Sequence, residues 1–84
     1  MYFVYVLRQQ GSKKVYIGFT SDLPRRLKEH QRKIQTSSGN RGKRWELLYF
    51  EAYRSERLVR KRERVLKNYG RSWDFLRRRL GLID

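Results

Sequence analysis

The 84-residue sequence has no cysteine, one proline and one histidine. The absence of cysteine excludes disulfides and thiolate zinc sites, and it is compatible with a reducing compartment. No apolar run approaches the ~20 residues that a membrane-spanning helix needs. No signal peptide or lipidation motif is visible either, so we expect a soluble cytoplasmic protein. A chain of this length has room for one domain, which we expect to occupy residues 1–84.

Acidic residues are also scarce. Eight Asp and Glu stand against 22 Lys and Arg, which gives a net charge of +14 at pH 7. Repulsion among these charges destabilises a compact fold unless a polyanion is nearby. Nucleic acid is the favoured partner, because phosphates recruit clustered cations and release counterions; an anionic membrane surface is the competing one. Disorder is disfavoured, because the aromatic residues lie within periodic elements.

Two strands and a helix are predicted for the first half of the chain. The aromatic and β-branched run 1–7 and the run 15–19 predict paired strands, joined by a polar hairpin turn over residues 8–14. Asp22 and the preceding Ser21 are favourable helix N-caps. One face of the helix carries residues at spacings of four, three and four, namely Leu23, Leu27, His30 and Ile34.

A polar loop over residues 35–44 and a third strand at residues 45–53 are predicted next. Apolar residues occupy both sides of this strand, with Trp45 and Tyr49 on the same side. That pattern indicates a central strand that is covered on both faces.

Two helices are predicted to end the chain. Ser55 is the N-cap of the first, Gly70 is free to end it with a positive φ, and Ser72 is the N-cap of the second. The apolar stripe of the first helix is Leu58, Val59, Val65 and Leu66, and that of the second is Trp73, Leu76 and Leu80. The order ββαβαα predicts a small α+β sandwich.

Tyr5 and Tyr16 lie on the two strands that are predicted to pair. Strand tyrosines in a small basic protein are usually packing residues with a hydrogen-bonded hydroxyl. If the hairpin folds around Ser12, the two tyrosines lie nearly opposite each other and could project into one cleft. A phenol there can orient a water or, with its pKa lowered by cations, accept a proton from it. From the tyrosines alone, packing is the preferred interpretation.

Arg26 and His30 lie four residues apart on the predicted helix, so their side chains reach the same region. A single histidine on an apolar face is most often a hydrogen-bonded core residue. Arg26, at the edge of that face, is harder to explain by packing, because an arginine there points to solvent unless an anion is present. Its planar guanidinium fits phosphate oxygens and can stabilise a pentacoordinate transition state. Arg25 is on an outward position and is expected to be an ordinary cation.

Glu63 is an isolated acid in the basic segment 60–64. Such acids often form weak ion pairs on a helix face. Glu63, however, lies beside Val59 and Leu66, at the edge of the apolar stripe. A carboxylate among cations stays ionised near neutral pH, and it is a hard oxygen ligand for Mg²⁺. That ion needs only one or two carboxylates when waters and phosphate complete its coordination.

Clustered cations on the last two helices predict contacts to a nucleic-acid backbone. No base-reading motif, P-loop or nucleophilic serine with a base partner is visible. The cations that we expect to bind nucleic acid are Arg25, Lys43, Arg57, Arg60, Lys61, Arg64, Lys67 and Arg71.

Four runs, taken in order and spacing, resemble the GIY-YIG nuclease superfamily. They are YFVYVL at 2–7, VYIG at 15–18, DLPRRLKEH at 22–30 and RERVLK at 62–67. The resemblance is in particular to short stand-alone members related to the nuclease domain of the nucleotide-excision-repair protein UvrC. It implies a three-stranded antiparallel sheet with flanking helices.

The resemblance also implies roles for individual residues. Tyr5 and Tyr16 correspond to the two motif tyrosines and Arg26 to the catalytic arginine. His30 takes the place of an active-site histidine, and Glu63 corresponds to the glutamate that binds Mg²⁺ or Mn²⁺. The resemblance also implies that Gly18 lets a backbone segment or a phosphate approach closely, because glycine has no side chain.

The sequence therefore predicts a Mg²⁺-dependent DNA endonuclease in DNA repair or processing, either structure-selective or non-specific. In this interpretation a water deprotonated by Tyr5, helped by Tyr16 or His30, attacks a phosphate that Arg26 clamps. Substrate choice is expected to rest on DNA structure or on a protein partner. The alternative is a catalytically weak nucleic-acid-binding module. A membrane binder is a more distant alternative, because no long basic amphipathic helix with aromatic anchors stands out.

Overall fold

The predicted order of elements is confirmed. A computed structural model describes residues 1–36 and 44–82. Most of the predicted loop at 35–44 therefore lies outside the described residues, and so does Lys43. The elements are β1 (Tyr2–Gln9), β2 (Val15–Thr20), α1 (Leu23–Thr36), β3 (Trp45–Tyr53), α2 (Glu56–Lys67) and α3 (Arg71–Arg79). They form an α+β fold around an antiparallel three-stranded sheet.

The strand order is β2-β1-β3, so the prediction that β3 is central is wrong. β1 is the strand covered on both faces: Val4 and Val6 pack against α2 and α3, whereas Tyr5 and Leu7 pack against α1. β3 is an edge strand, and its Phe50 is 51% exposed. Apolar residues on both sides of a strand therefore did not distinguish a central strand from an edge strand in this small sheet.

A β-bulge in β3 reverses the side-chain alternation that the sequence predicts. Val6 pairs with Tyr49 but Leu7 pairs with Leu47, which leaves one extra residue in β3. Trp45 consequently packs on the α1 side and Tyr49 on the opposite side, not on the same side as predicted. A two-residue period cannot anticipate an inserted residue.

The helix N-caps Asp22 and Ser55 are confirmed, and the boundary between α2 and α3 is not. Asp22 Oδ1 accepts from the Arg25 N–H at 3.2 Å, and Ser55 Oγ accepts from the Leu58 N–H at 3.2 Å. The left-handed residue after α2 is Tyr69, with φ of 54°, in place of the predicted Gly70.

The start of α3 also differs from the prediction. Gly70 is its N-cap, and Ser72 lies inside its first turn. Trp73 and Leu76 are buried, and Leu80 packs against them, as predicted.

α2 lies on the sheet through Val59 and Leu66, which are both fully buried. Leu58 is 49% exposed, so its predicted place in the buried stripe is wrong. Successive residues are rotated by about 100° around a helix, so Leu58 and Val59 cannot both face the sheet. The buried side of α2 is narrower than the sequence indicates.

Glu51 of β3 fixes α2 to the sheet. Its carboxylate accepts from Arg62 Nε at 2.9 Å and from a second Arg62 nitrogen at 3.0 Å, and it accepts from the hydroxyls of Tyr49 and Tyr53 at 2.5 and 2.7 Å. Burial opposes ionisation, but these hydrogen bonds outweigh it, so the pKa of the Glu51 carboxyl lies below its ordinary value. This network was not predicted from the sequence, because its members are up to 13 residues apart.

Candidate active site

The hairpin brings both tyrosines onto the α1 side of the sheet. Their rings stack, with centroids 6.0 Å apart and an interplanar angle of 26°. Tyr5 pairs with Gly18 and Tyr16 pairs with Leu7, so the two tyrosines are diagonal neighbours. The predicted shared cleft is present, although the residues are not directly opposite each other.

Gly18 makes room for these two rings. A Cβ at this position would lie 2.7 Å from the Tyr5 hydroxyl oxygen and 2.8 Å from Tyr16 Cε1. Both distances are well inside van der Waals contact, so a side chain at Gly18 would displace the rings. This packing explains the glycine without the close approach of a phosphate that the sequence suggested.

Tyr5 is fully buried at the base of the cleft. Its hydroxyl oxygen accepts from Arg26 Nε at 3.3 Å and lies 3.2 Å from His30 Nε2. Burial raises the pKa of Tyr5 to about 12, and the hydrogen bond from Arg26 offsets only part of that rise. The Tyr5 hydroxyl is therefore neutral at physiological pH and holds two neighbouring side chains in place.

Arg26 lies at the edge of the cleft, as predicted, with 33% of its side chain exposed. Its Nη1 donates to Glu29 Oε2 at 2.8 Å. The pKa of this guanidinium is raised, chiefly by Tyr5 and then by Glu29 and Tyr16. Arg25 points outward, with 69% of its side chain exposed, and its only ion pair among the described residues is with Glu29 at 3.6 Å.

His30 is buried between the tyrosines and the first residue of β3. Its ring centroid lies 4.6 Å from that of Tyr16 and 6.3 Å from that of Trp45. Gln31 fixes the position of Trp45, because its side chain donates to the Trp45 carbonyl at 2.5 Å and accepts from the Trp45 N–H at 3.2 Å. His30 is thus a hydrogen-bonded interior residue that also touches both tyrosines.

Glu63 is not in this cluster. It lies on α2, which covers the opposite side of the sheet, and its side chain is 18% exposed. Arg62, on one side of α2, reaches β3, whereas Arg60, on the other side, lies 5.3 Å above the Phe19 ring of β2. The helical period places Glu63 on the side of Arg60. Glu63 therefore borders edge strand β2 from one face, and the tyrosine cluster borders it from the other.

A comparison with protein families identifies the family of the chain. A sequence model described as the GIY-YIG catalytic domain matches residues 1–78. The chain belongs to the GIY-YIG family. The fold is thus of a nuclease type, as the sequence predicted. No curated protein and no solved structure gives a significant match.

The cleft formed by Tyr5, Tyr16, Arg26 and His30 is called the GIY-YIG cleft below. It contains two residues that were not predicted from the sequence to be part of the site. Glu29 holds both Arg25 and Arg26 through ion pairs, and its spacing of three and four residues from them is a signal that was available. Trp45 closes the cleft beside His30. Nothing local in the sequence connects Trp45 to α1, because the contact spans 15 residues and depends on the register of β3.

Glu63 is a suitable ligand for a divalent cation. Among residues 1–36 and 44–82, no group of three or more His, Asp or Glu is placed to hold a metal. A single carboxylate suffices for Mg²⁺ when phosphate and waters supply the other ligands. The only ion pair of Glu63 within the described residues is with Lys67 at 3.5 Å, whereas both oxygens of Glu51 are occupied at short range. Glu63 is thus a better candidate metal ligand than Glu51.

A band of exposed cations runs along α2 beside Glu63. Seven of the eight predicted nucleic-acid-binding residues lie within the described residues, and all seven are exposed; Lys43 lies outside. Arg60 pairs with Glu56 at 2.7 Å, and Lys67 pairs with Glu63. The others on α2 and α3, which have no ion pair in the described part of the chain, are Arg57, Lys61, Arg64 and Arg71. None of the described helices has the length and apolar character needed to cross a membrane.

Gly18→Ala should disrupt the GIY-YIG cleft. The new methyl group displaces the rings of Tyr5 and Tyr16, and Tyr5 is too buried to move freely. We expect a loss of stability of about 1–3 kcal/mol from this overpacking, together with a loss of DNA cleavage. Chemical denaturation and nuclease assays measure the two effects. Gly70→Ala is the matched control, because nothing lies within 4 Å of a Cβ there; similar effects for both substitutions would contradict this account of Gly18.

Arg26→Lys should lose far more activity than Arg25→Lys, although both substitutions keep the charge. Arg26 divides its nitrogens between Tyr5 and Glu29, a geometry that an ammonium group cannot reproduce. Arg25 is exposed, and a lysine there provides the same positive charge. We expect a loss of about 10²-fold or more for the first, comparable to removal of one preorganised donor, and less than threefold for the second. Equal losses in single-turnover cleavage would show that α1 supplies only diffuse positive potential.

Proposed function

We propose that this protein is a metal-dependent DNA endonuclease that hydrolyses phosphodiester bonds during DNA repair or processing. The observation that carries the proposal is the GIY-YIG cleft itself, where Arg26 at a partly exposed edge is held against a tyrosine pair. We further propose that it works in the cytoplasm, that its substrate is selected by DNA structure or not at all, and that a protein partner provides targeting.

Tyr16 is the better candidate for the general base. The sequence interpretation gave that role to Tyr5, but its full burial and its pKa of about 12 disfavour this assignment. At pH 8 a phenol with that pKa is ionised in only about one molecule in 10⁴. Tyr16 is partly exposed, stacks on Tyr5 and contacts His30. In this mechanism the phenolate form of Tyr16 takes the proton of the attacking water and becomes a neutral phenol, and Tyr5 positions Arg26 and His30.

Arg26 clamps the scissile phosphate. Its Nη1 is paired with Glu29 at the partly exposed edge of the cleft, while its Nε stays on Tyr5. A phosphate oxygen that displaces Glu29 gains a charge-assisted hydrogen bond from a guanidinium already fixed in direction. The same guanidinium then stabilises the additional negative charge of the transition state.

Glu63 would hold one Mg²⁺ or Mn²⁺ from the α2 side of β2. Such an ion, when bound, stabilises negative charge on the scissile phosphate and on the leaving 3′ oxygen. The contribution of Glu63 itself is a fixed carboxylate, kept near the sheet by its position between the buried residues Val59 and Leu66. The substrate strand consequently lies across the edge of β2, between α1 and α2.

DNA binding should depend strongly on salt and little on sequence. The determinants on α2 and α3 are exposed cations, and none of them belongs to a base-reading motif. If the protein makes 6–10 phosphate contacts, affinity falls by about 10³–10⁵-fold between 50 and 200 mM salt. Fluorescence anisotropy with two unrelated duplexes measures this slope. An affinity that does not change with salt, or a strong preference for one of the duplexes, would contradict binding through contacts between cations and phosphates.

Incubation with labelled flap, fork and duplex DNA tests the proposed function. We expect nicking in the presence of Mg²⁺ and none in the presence of EDTA. Tight binding to all three substrates without cleavage under either condition would favour the alternative, a catalytically weak DNA-binding module. Cleavage that continues in EDTA would contradict metal dependence.

A further inference from the structure

A second cavity lies on the face of the sheet opposite the GIY-YIG cleft. It has a volume of about 470 Å³ and is bordered by the hairpin turn and by α3. Arg8 lines it and continues the side of β1 that carries Val4 and Val6, whereas Tyr5 faces α1. Arg8 is three residues, or about 10 Å along the strand, from Tyr5. The cavity is therefore separate from the proposed catalytic site but close to it.

Three cations converge on this cavity, and none of the lining residues that the structure describes between 1 and 82 is acidic. They are Arg8, Lys13 and Arg77. Arg77 donates to Asp74 through Nη2 at 2.7 Å, but its Nε is buried and has no hydrogen-bond partner among residues 1–36 and 44–82. A buried donor without an acceptor is unfavourable. The Arg77 side chain as a whole is 38% exposed, which leaves part of its guanidinium accessible to an anionic ligand.

Two aromatic rings form another wall of the cavity. Tyr69 and Trp73 contact each other edge to face, with centroids 6.1 Å apart. Trp73 is buried, whereas Tyr69 is mostly exposed. Tyr69 has a φ of 54°, a left-handed conformation that is unfavourable for a bulky residue. The exposed ring of this residue lines the cationic cavity, and such backbone strain is often associated with ligand sites.

We infer that this cavity binds one nucleotide of single-stranded DNA. Its base stacks on Tyr69, and its phosphate contacts Arg8, Lys13 and Arg77. Aromatic stacking together with cations is the usual chemistry of single-strand binding. A simple anion would use the cations but not the rings, and an acidic peptide would likewise gain nothing from stacking. The inference rests on the proposed function only in taking DNA as the ligand.

Binding of a labelled eight-nucleotide oligothymidylate, measured by anisotropy in EDTA, tests the inference. Tyr69→Leu should weaken binding about 5- to 100-fold, whereas Phe75→Leu, which removes an exposed ring outside the cavity, should change it less than threefold. Arg77→Met should weaken binding about tenfold, and Arg78→Met, which removes a charge from the same helix outside the cavity, much less. Tyr69→Gly suits the positive φ, so it should lose the same affinity without a lower melting temperature.

Three results would overturn the inference. The first is equal losses in the cavity variants and their controls. The second is undiminished binding of an abasic oligonucleotide, and the third is displacement of the oligothymidylate by polyglutamate as effectively as by unlabelled oligonucleotide. Because these measurements exclude metal, they do not depend on catalysis. A protein that cleaves duplex DNA but fails these tests retains the proposed function and lacks the single-strand site.

Discussion

Replacement of Glu63 by glutamine should abolish Mg²⁺-dependent cleavage while DNA affinity stays equal or increases. The substitution keeps the shape of the side chain but removes the carboxylate that we propose holds the metal beside β2. It also removes an anion that repels phosphate. Because a metal contributes several kcal/mol to the stabilisation of such a transition state, we expect a loss of about 10³-fold or more in the single-turnover rate.

Glu56→Gln is the matched control for Glu63→Gln. Glu56 lies on the same helix and forms an exposed ion pair with Arg60 at 2.7 Å. Its substitution should change the cleavage rate by less than threefold, because exposed pairs of this kind contribute little. A Glu63→Gln protein that cleaves at a rate near that of the wild type would show that Glu63 is an ion-pair residue like Glu56.

Tyr16→Phe should reduce cleavage by about 10²–10⁴-fold, the usual contribution of general acid–base catalysis. The stacked ring is retained and only a partly exposed hydroxyl is lost, so the melting temperature should change little. Tyr5→Phe is expected to differ, because it removes the hydroxyl that the partly buried Arg26 and the buried His30 share. It should lower both activity and stability, the latter by about 1–3 kcal/mol.

Nuclease rates and thermal melts for the two variants separate a base from a positioning residue. If Tyr5→Phe is inactive with unchanged stability and Tyr16→Phe is active, the general base is Tyr5 and not Tyr16. In that case the wild-type rate should also keep rising with pH toward the pKa of Tyr5, which is about 12. If both variants cleave normally, the tyrosines are packing residues and the proposed mechanism fails at its first step.

The sequence predicted those features that depend on local periodicity. The six elements, the N-caps Asp22 and Ser55, and the shared side of Arg26 and His30 all follow from spacings of one to four residues. The position of β3 could not be predicted in this way. One inserted residue reverses its alternation, and its place at the edge of the sheet depends on pairing with residues that lie 36 to 51 positions earlier in the chain.

The candidate site was predictable in composition but not in geometry. The residues of α1 and the hairpin come together as expected. Sequence alone could not show that Tyr5 is fully buried and Tyr16 is partly exposed, because both occupy apolar strands. Nor could it show that Glu63 borders β2 from the other face, since that depends on how α2 packs on the sheet.

The central claim is that Arg26 and Glu63 act on one phosphate from opposite faces of β2. A double-mutant cycle tests it most directly, with single-turnover cleavage rates for the wild type, Arg26→Lys, Glu63→Asp and the double variant at saturating enzyme. Residues that stabilise the same transition state give strongly non-additive losses. The account predicts that the double variant loses much less activity than the product of the two single losses. Losses that multiply would show that the two residues act independently, and would contradict a single active site around the edge of β2.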